Sequence, residues 1–212
     1  MVAASNLDHP TFRIISRWAI ANSTAELLRT YIQEQPQGRF QNNPLAIISA
    51  IEEFASTKKR LMVFRGPKLN IAREALESMS VPPKIIAEFG TYVGCSAVAW
   101  GAILKDIHGI NAAEKGCRVY TFELDPEIVQ LSRELTKLAG LDDIVHVLEG
   151  PASDSLKRLY DEGSVTRGGV DMVFIDHWEK YYLPDLQLCE ELGVFRKGSL
   201  VMADNTDFHG AP

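Results

Sequence analysis

Five short apolar runs dominate the later part of the chain: KIIAEF (84–89), RVYTFEL (118–124), IVHVLEG (144–150), DMVFID (171–176) and SLVMAD (199–204). Each is rich in Val, Ile, Leu and Phe, and helical or turn-rich sequence follows each of the first four. Short apolar strands that alternate with helices imply a parallel sheet covered on both faces, because parallel neighbours need a crossover long enough to hold a helix. Four of the runs carry an acid at or beside their ends, namely Glu88, Glu123, Asp176 and Asp204. In an open α/β sheet ligands bind beyond the carboxyl ends of the strands, so these acids are expected to converge on one rim.

The first eighty residues read as helical. AELLRTYIQEQ (25–35) spaces Leu27, Leu28, Tyr31 and Ile32 at helical intervals, with Ser23 or Thr24 as its cap. After the turn-rich PQGRFQNNP, PLAIISAIEEFAS (44–56) stripes Leu45, Ile48, Ile51 and Phe54 behind Pro44 at its first position. A third helix is expected over 68–80, ended by VPP. The expectation is one domain over 1–212, with a helical cap over 1–80 and an α/β core over 81–212. At 212 residues, 46% hydrophobic and 24% charged, the chain can bury one sizeable core, which excludes disordered, collagenous and coiled-coil classes. A net charge of −6 without a Lys/Arg tract argues against a nucleic-acid surface. Cys95, Cys117 and Cys189 are odd in number and far apart, which suits a reducing compartment. With no basic-then-apolar leader and no apolar run of about 18 residues, the expectation is a cytoplasmic protein without membrane contact. No oligomeric state follows from the sequence.

Chemistry-bearing residues cluster after the strands. Glu88-Phe89-Gly90-Thr91-Tyr92-Val93-Gly94-Cys95-Ser96 joins the first strand to a helix, and its glycines permit a tight turn with close backbone approach. The spacing is G-x-x-x-G rather than the G-x-G-x-x-G of a dinucleotide site, and a purely structural turn is the competing reading. Glu123 is placed to accept both hydroxyls of a ribose; the alternative is a helix cap, for which Asp125 is better placed. Asp176, at the end of the fourth strand, is followed by His177 and Trp178, which read either as cofactor contacts or as a loop histidine and a core aromatic. Asp176, Asp204 and Asn205 offer oxygen ligands on strand ends, a set suited to Mg²⁺ rather than zinc. A nucleotide-type cofactor beside a divalent metal is the resulting expectation.

EFGTYVGCSA, TFELDPE, AGLDDIVHVLEG, DMVFIDHWEKYYLPD and FRKGSLVMADN, in this order and ending in GAP, resemble the catechol O-methyltransferase family from about Tyr31 to Pro212. The resemblance implies a Rossmann-like class I methyltransferase sheet that transfers a methyl group from S-adenosylmethionine to a catechol hydroxyl with Mg²⁺ bound. Carried over by motif, Glu88, Gly90, Tyr92 and Ser96 lie along the methionine half of the cofactor, and Met62 and Val63 lie near the sulfonium. Glu123 holds the ribose, while Ser153, His177 and Trp178 edge and stack the adenine. Asp176, Asp204 and Asn205 are the implied metal ligands. The chemistry is direct displacement at the methyl carbon, with Mg²⁺ lowering the pKa of the reacting hydroxyl. Positioning two bound reactants supplies on the order of 7–11 kcal/mol at best.

Two departures from the family pattern stand out. The family's lysine directly after the DHW tripeptide, which takes the proton, is replaced here by Glu179, with Lys180 next. Either residue, or water, is the expected base. The family also continues past GAP with two further strands, so the chain is expected to be C-terminally shortened, with the last two strands of the sheet missing. The competing readings are a non-catalytic S-adenosylmethionine-binding homologue or inactive fragment and, from a different class, an NAD-linked dehydrogenase.

Overall fold

The computed structural model describes residues 24–36 and 38–206. Ser23 and the terminal GAP lie outside the described residues. Residues 24–33 form helix α1, followed by α2 (Pro44–Thr57) and α3 (Pro67–Glu77). Alternating elements succeed them: β1 (Ile85–Phe89), α4 (Cys95–His108), β2 (Arg118–Glu123), α5 (Pro126–Leu138), β3 (Val145–Glu149), α6 (Ala152–Asp161), β4 (Val170–Ile175), α7 (Tyr182–Leu192) and β5 (Phe195–Ala203). The expected third helix ends three residues early, its last turn closing on Ser78.

The sheet runs β3-β2-β1-β4-β5 with every neighbouring pair parallel. The chain winds outward from β1 through β2 to β3, then crosses back to lay β4 on the other side of β1. That reversal opens a crevice beyond the carboxyl ends of β1 and β4, where open α/β sheets bind ligands.

Strand alternation builds two cores. Ile86 of β1 with Met172 and Phe174 of β4 face the layer formed by α1 to α5. Ala87 and Phe89 with Val173 and Ile175 face the layer formed by α6 and α7. The N-terminal helices belong to the first layer, with α2 and α3 packed against α4. Phe64, in the segment between α2 and α3, packs its ring 4.7 Å from Phe174 and 5.8 Å from Trp100. This contact pins the 61–65 segment over the crevice.

β5 differs from the expected buried run. It begins at Phe195 rather than Ser199 and consists of half-buried and exposed positions, with none fully buried. It lies at the sheet edge, with no second neighbour among the described residues, so an apolar pattern over its whole length is not required. A register irregularity between Val170 and Met172 accommodates its extra residues.

Two buried acids tie this frame together. Asp171, at the start of β4, accepts the backbone N–H groups of Lys84 (2.7 Å) and Ile85 (2.9 Å) and pairs with Arg196 of β5. One carboxylate thus aligns the amino ends of three strands. Glu88 occupies an inward position of β1 where alternation calls for an apolar side chain. Its carboxyl accepts the Trp100 indole N–H at 2.9 Å and the Thr121 hydroxyl at 2.5 Å, and Thr121 in turn bonds the Thr91 hydroxyl at 2.6 Å.

Burial pushes the Glu88 carboxyl up to about 7, against the pull of its hydrogen-bond donors. Between the ordinary value of 4.5 and about 7 the folded state keeps a proton that the unfolded chain has lost. Stability therefore falls as pH rises through that window and levels off above it. Glu88→Gln, a mimic of the protonated acid, is expected to match the parent near pH 4 and to exceed it at pH 8 by roughly 3 kcal/mol. Urea unfolding at the two pH values checks this, and an equal difference at both would rule out the buried proton. Asp171→Ala, which leaves two strand N–H groups and a guanidinium without their acceptor, is expected to cost about 3 kcal/mol in the same assay.

Candidate cofactor and metal site

The crevice is built by backbone first. Gly90, directly after β1, has φ +106°, and a Cβ there would stand 2.4 Å from the Asp176 carbonyl oxygen. The Asp176 N–H donates to the Phe89 carbonyl at 2.9 Å, so the exits of β1 and β4 are held side by side. Gly90 and Thr91 donate to the Phe122 carbonyl of β2, and the chain turns through Tyr92 at φ +47° and Gly94 at φ +80° to open α4. The result is a narrow crevice open to solvent. Met62, Val63, Gly90, Tyr92, Ser96 and Asp176 are among its lining residues. Residues from the 61–65 segment, the β1 turn, α4 and the β4 end therefore meet in one place, although up to 114 positions separate them in the chain.

The expected rim of acids needs one correction. Glu88 does not reach the rim: strand alternation turns it toward α4, where it is fully buried against Trp100 and Thr121, with Ser96 beside it. Glu123 does stand at the end of β2. Its carboxylate accepts three backbone N–H groups, from Tyr92 (2.9 Å), Leu124 (2.8 Å) and Asp125 (3.1 Å). Burial outweighs those bonds and raises its pKa. The cap of α5 is Asp125, which accepts from Glu127 N–H at 2.9 Å.

Ser153 lies half-buried in the first turn of α6, beyond β3. His177 places Nε2 2.6 Å from Asp185 and stacks on Tyr182 with ring centres 5.4 Å apart. Its Nδ1 is buried without a hydrogen-bond partner among the described residues. Trp178 is 37% exposed, which excludes a core aromatic, and its ring lies parallel to that of Tyr181. Glu179 opens the short 3₁₀ turn Glu179–Tyr181. Lys180 carries its ammonium over the rings of Trp178 and Tyr181, 4.7 Å from each centre. Neither Glu179 nor Lys180 lines the pocket.

The three oxygen-bearing residues do come together. The Asp204 N–H donates to the Ile175 carbonyl at 3.0 Å, which sets the β5 exit beside that of β4. Asn205, at φ +59°, turns its carboxamide to within 3.5 Å of Asp176 Oδ1. Burial, then Asp204, then Glu88 push the Asp176 carboxyl up to about 8, with Lys68 acting in the opposite sense. Two carboxyl groups and a carboxamide, with Asp176 held back from ionising by burial and acidic neighbours, are oxygen donors of the kind a hard divalent cation takes. Among the described residues no group of three His, Cys, Asp or Glu is arranged for a metal, so the carboxamide is needed to complete the donor set.

Lys68, Asp185 and Thr121 are the site residues that sequence reasoning missed. Lys68 bonds Asp204 across 136 positions. Its signal is a cation in the first turn of a helix, where the macrodipole disfavours one unless an acid lies beyond. Thr121 is signalled by a polar residue inside an otherwise buried strand, and Asp185 by an acid buried in the first turn of α7.

A methyltransferase-domain family model matches residues 87–206, more than half of the chain. Catechol O-methyltransferase of Bos taurus is 32% identical over 184 residues, covering 85% of this chain and 62% of its own length. The Sus scrofa enzyme of the same name is 38% identical over 133 residues, covering 61% and 64%. A probable O-methyltransferase of Mycobacterium tuberculosis is 33% identical over 169 residues, covering 78% and 67%. The chain thus spans about three fifths of the length of these mammalian relatives. Among solved structures, an O-methyltransferase from Bacillus cereus in complex with SAH shares the fold at a TM-score of 0.57 and 18% identity, covering 91% of this chain and 75% of that one. No helix among the described residues is long and apolar enough to cross a membrane. The matched domain, the sheet order and the relatives agree, and the chain belongs to the class I O-methyltransferase family of catechol O-methyltransferase type.

Proposed function

We propose that this chain binds S-adenosylmethionine at the β1–β4 crevice and transfers its methyl group to one hydroxyl of a catechol, with Mg²⁺ held by Asp176, Asp204 and Asn205. The observation that carries the reading is the pocket itself, in which Gly90, Tyr92, Ser96 and Asp176 meet the Met62–Val63 segment beside an all-oxygen donor set.

In this reading the pocket receives the amino-acid end of the cofactor, and Gly90 leaves the space that a side chain would fill. Glu88 supports that end from within the core, through its place beside Ser96. Glu123 faces the ribose while its three N–H bonds hold the carboxylate in one orientation. His177, fixed by Asp185 and Tyr182, presents an edge to the adenine, with Trp178 and Ser153 flanking it. When bound, the cofactor supplies an electrophilic methyl group and the metal supplies positive charge beside the acceptor hydroxyl. The chain's own contribution is orientation: the paired strand exits keep the metal ligands and the methyl-donor pocket on the shared residue Asp176. The proton from the acceptor passes to Glu179, Lys180 or solvent.

A second reading, a cofactor-binding homologue without turnover, draws on one observation. Lys180, next to the position of the family's base, is engaged over two aromatic rings.

Calorimetric titration of S-adenosylmethionine and of NAD, followed by a methyl-transfer assay on a catechol with and without Mg²⁺, separates these readings. The expected outcome is binding of S-adenosylmethionine and Mg²⁺-dependent transfer. Binding without transfer selects the homologue, and NAD binding alone overturns both. Asp204→Ala is expected to lower the transfer rate by about 100-fold or more while leaving cofactor affinity within about threefold, since it removes a metal ligand outside the pocket lining. Lys180→Ala is expected to change the pH profile of transfer if Lys180 is the base, and an untouched profile removes it from that role.

A further inference from the structure

The cation nearest to the donor set belongs to the protein. Lys68 bonds its ammonium to Asp204 Oδ1, the same oxygen that accepts the Asn205 N–H at 2.9 Å. Asp204 is sheltered, with 13% of its side chain exposed, whereas Lys68 remains 55% exposed and free to swing outward on its stem. The lysine is delivered by structure rather than by chance of the surface. Gly66 and Pro67 start α3, the Gly66 N–H is anchored on Glu52 at 3.3 Å, and α3 packs against α4. This start puts a positive charge at the unfavourable end of the helix dipole, an arrangement offset by the acid across the crevice.

We propose that Lys68 is an internal counter-cation of the metal site: its ammonium holds Asp204 in the metal-free protein, and a divalent ion must displace it to bind. The inference rests on the metal reading above and adds the residue that sets the site's affinity. Asp204 Oδ1 already accepts two donors, so an entering cation finds that oxygen in use and, on Oδ2, still shares one carboxylate with the ammonium. A divalent ion on Asp204 would also stand within a few ångströms of the ammonium if it stayed, and repulsion at that range is large in a partly sheltered site. The exposed stem provides the way out. Among the described residues the Asp176 carboxyl makes no comparable ion pair, and the Asn205 carboxamide donates to it at 3.5 Å. Displacement at one ligand is therefore the step that opens the site.

Calorimetric titration of Mg²⁺ and of Mn²⁺ into the parent protein, Lys68→Met, Lys68→Gln, Lys68→Arg and Asp204→Ala tests this without any activity measurement. Lys68→Met and Lys68→Gln are expected to bind either ion about tenfold more tightly than the parent, and Lys68→Arg to stay near it. The gap should narrow at high salt, which screens the exposed ammonium. Equal or weaker binding by both neutral variants, with binding abolished in Asp204→Ala, overturns the role of Lys68 and leaves the metal reading standing. No binding by the parent or by the neutral variants overturns the metal reading and this inference together. Lys68→Met, by contrast, binding where the parent does not is the strongest support.

Discussion

The contact between Gly90 and the Asp176 carbonyl is the constraint on which the site depends. Two parallel strands leave the sheet there with no side chain between them. The β1 exit can then curl into α4 while the β4 exit carries Asp176 to the mouth of the same pocket. Any Cβ at position 90 would push the exits apart and separate the pocket from the oxygen cluster. The turn after β1 is thus a spacing device as well as a flexible link, and its positive φ values at Gly90, Tyr92 and Gly94 follow from the tightness of that curl.

Negative charge is distributed around this contact in graded environments. Glu88 lies fully inside, held toward its neutral form by burial against the pull of its donors; Asp176 lies at the wall; Asp204 lies at the edge with a lysine on it. Burial disfavours the carboxylate forms of Glu88 and Asp176. Asp171 answers the same problem at the opposite end of the sheet, with two N–H groups and a guanidinium, and the result there is a fixed structural clasp. The difference between clasp and binding site is whether the protein supplies every partner.

Most of the frame was legible in the sequence, because parallel strands buried on both faces leave continuous apolar runs that polar surface cannot imitate. The first four strands in chain order fall where those runs stand, and Pro44 and Asp125 mark helix starts by local chemistry. β5 was less legible because its outer edge is unpaired among the described residues and its first half, Phe195 to Gly198, carries Arg196, Lys197 and Gly198 in place of an apolar run. The rim was misread at Glu88 because nearness to a strand end does not tell which way a side chain points; the alternation with Ile86 does. Lys68 and Asp204 could not be paired from the sequence, since their meeting depends on how α3 packs across 136 positions. Asp185 stands only eight positions after His177, but nothing local distinguishes it from a solvated acid.

The three cysteines acquire a meaning that their count does not convey. All are buried and unpaired, and Cys95 lies in the pocket wall with its thiol pushed up to about 12 by burial and by nearby acids. A thiolate is a far stronger nucleophile than a thiol. In a pocket proposed to receive an alkylating cofactor, a Cys95 held protonated at the wall is a poor competitor for the alkyl group. Chemical selectivity in such a pocket begins with a residue kept unreactive.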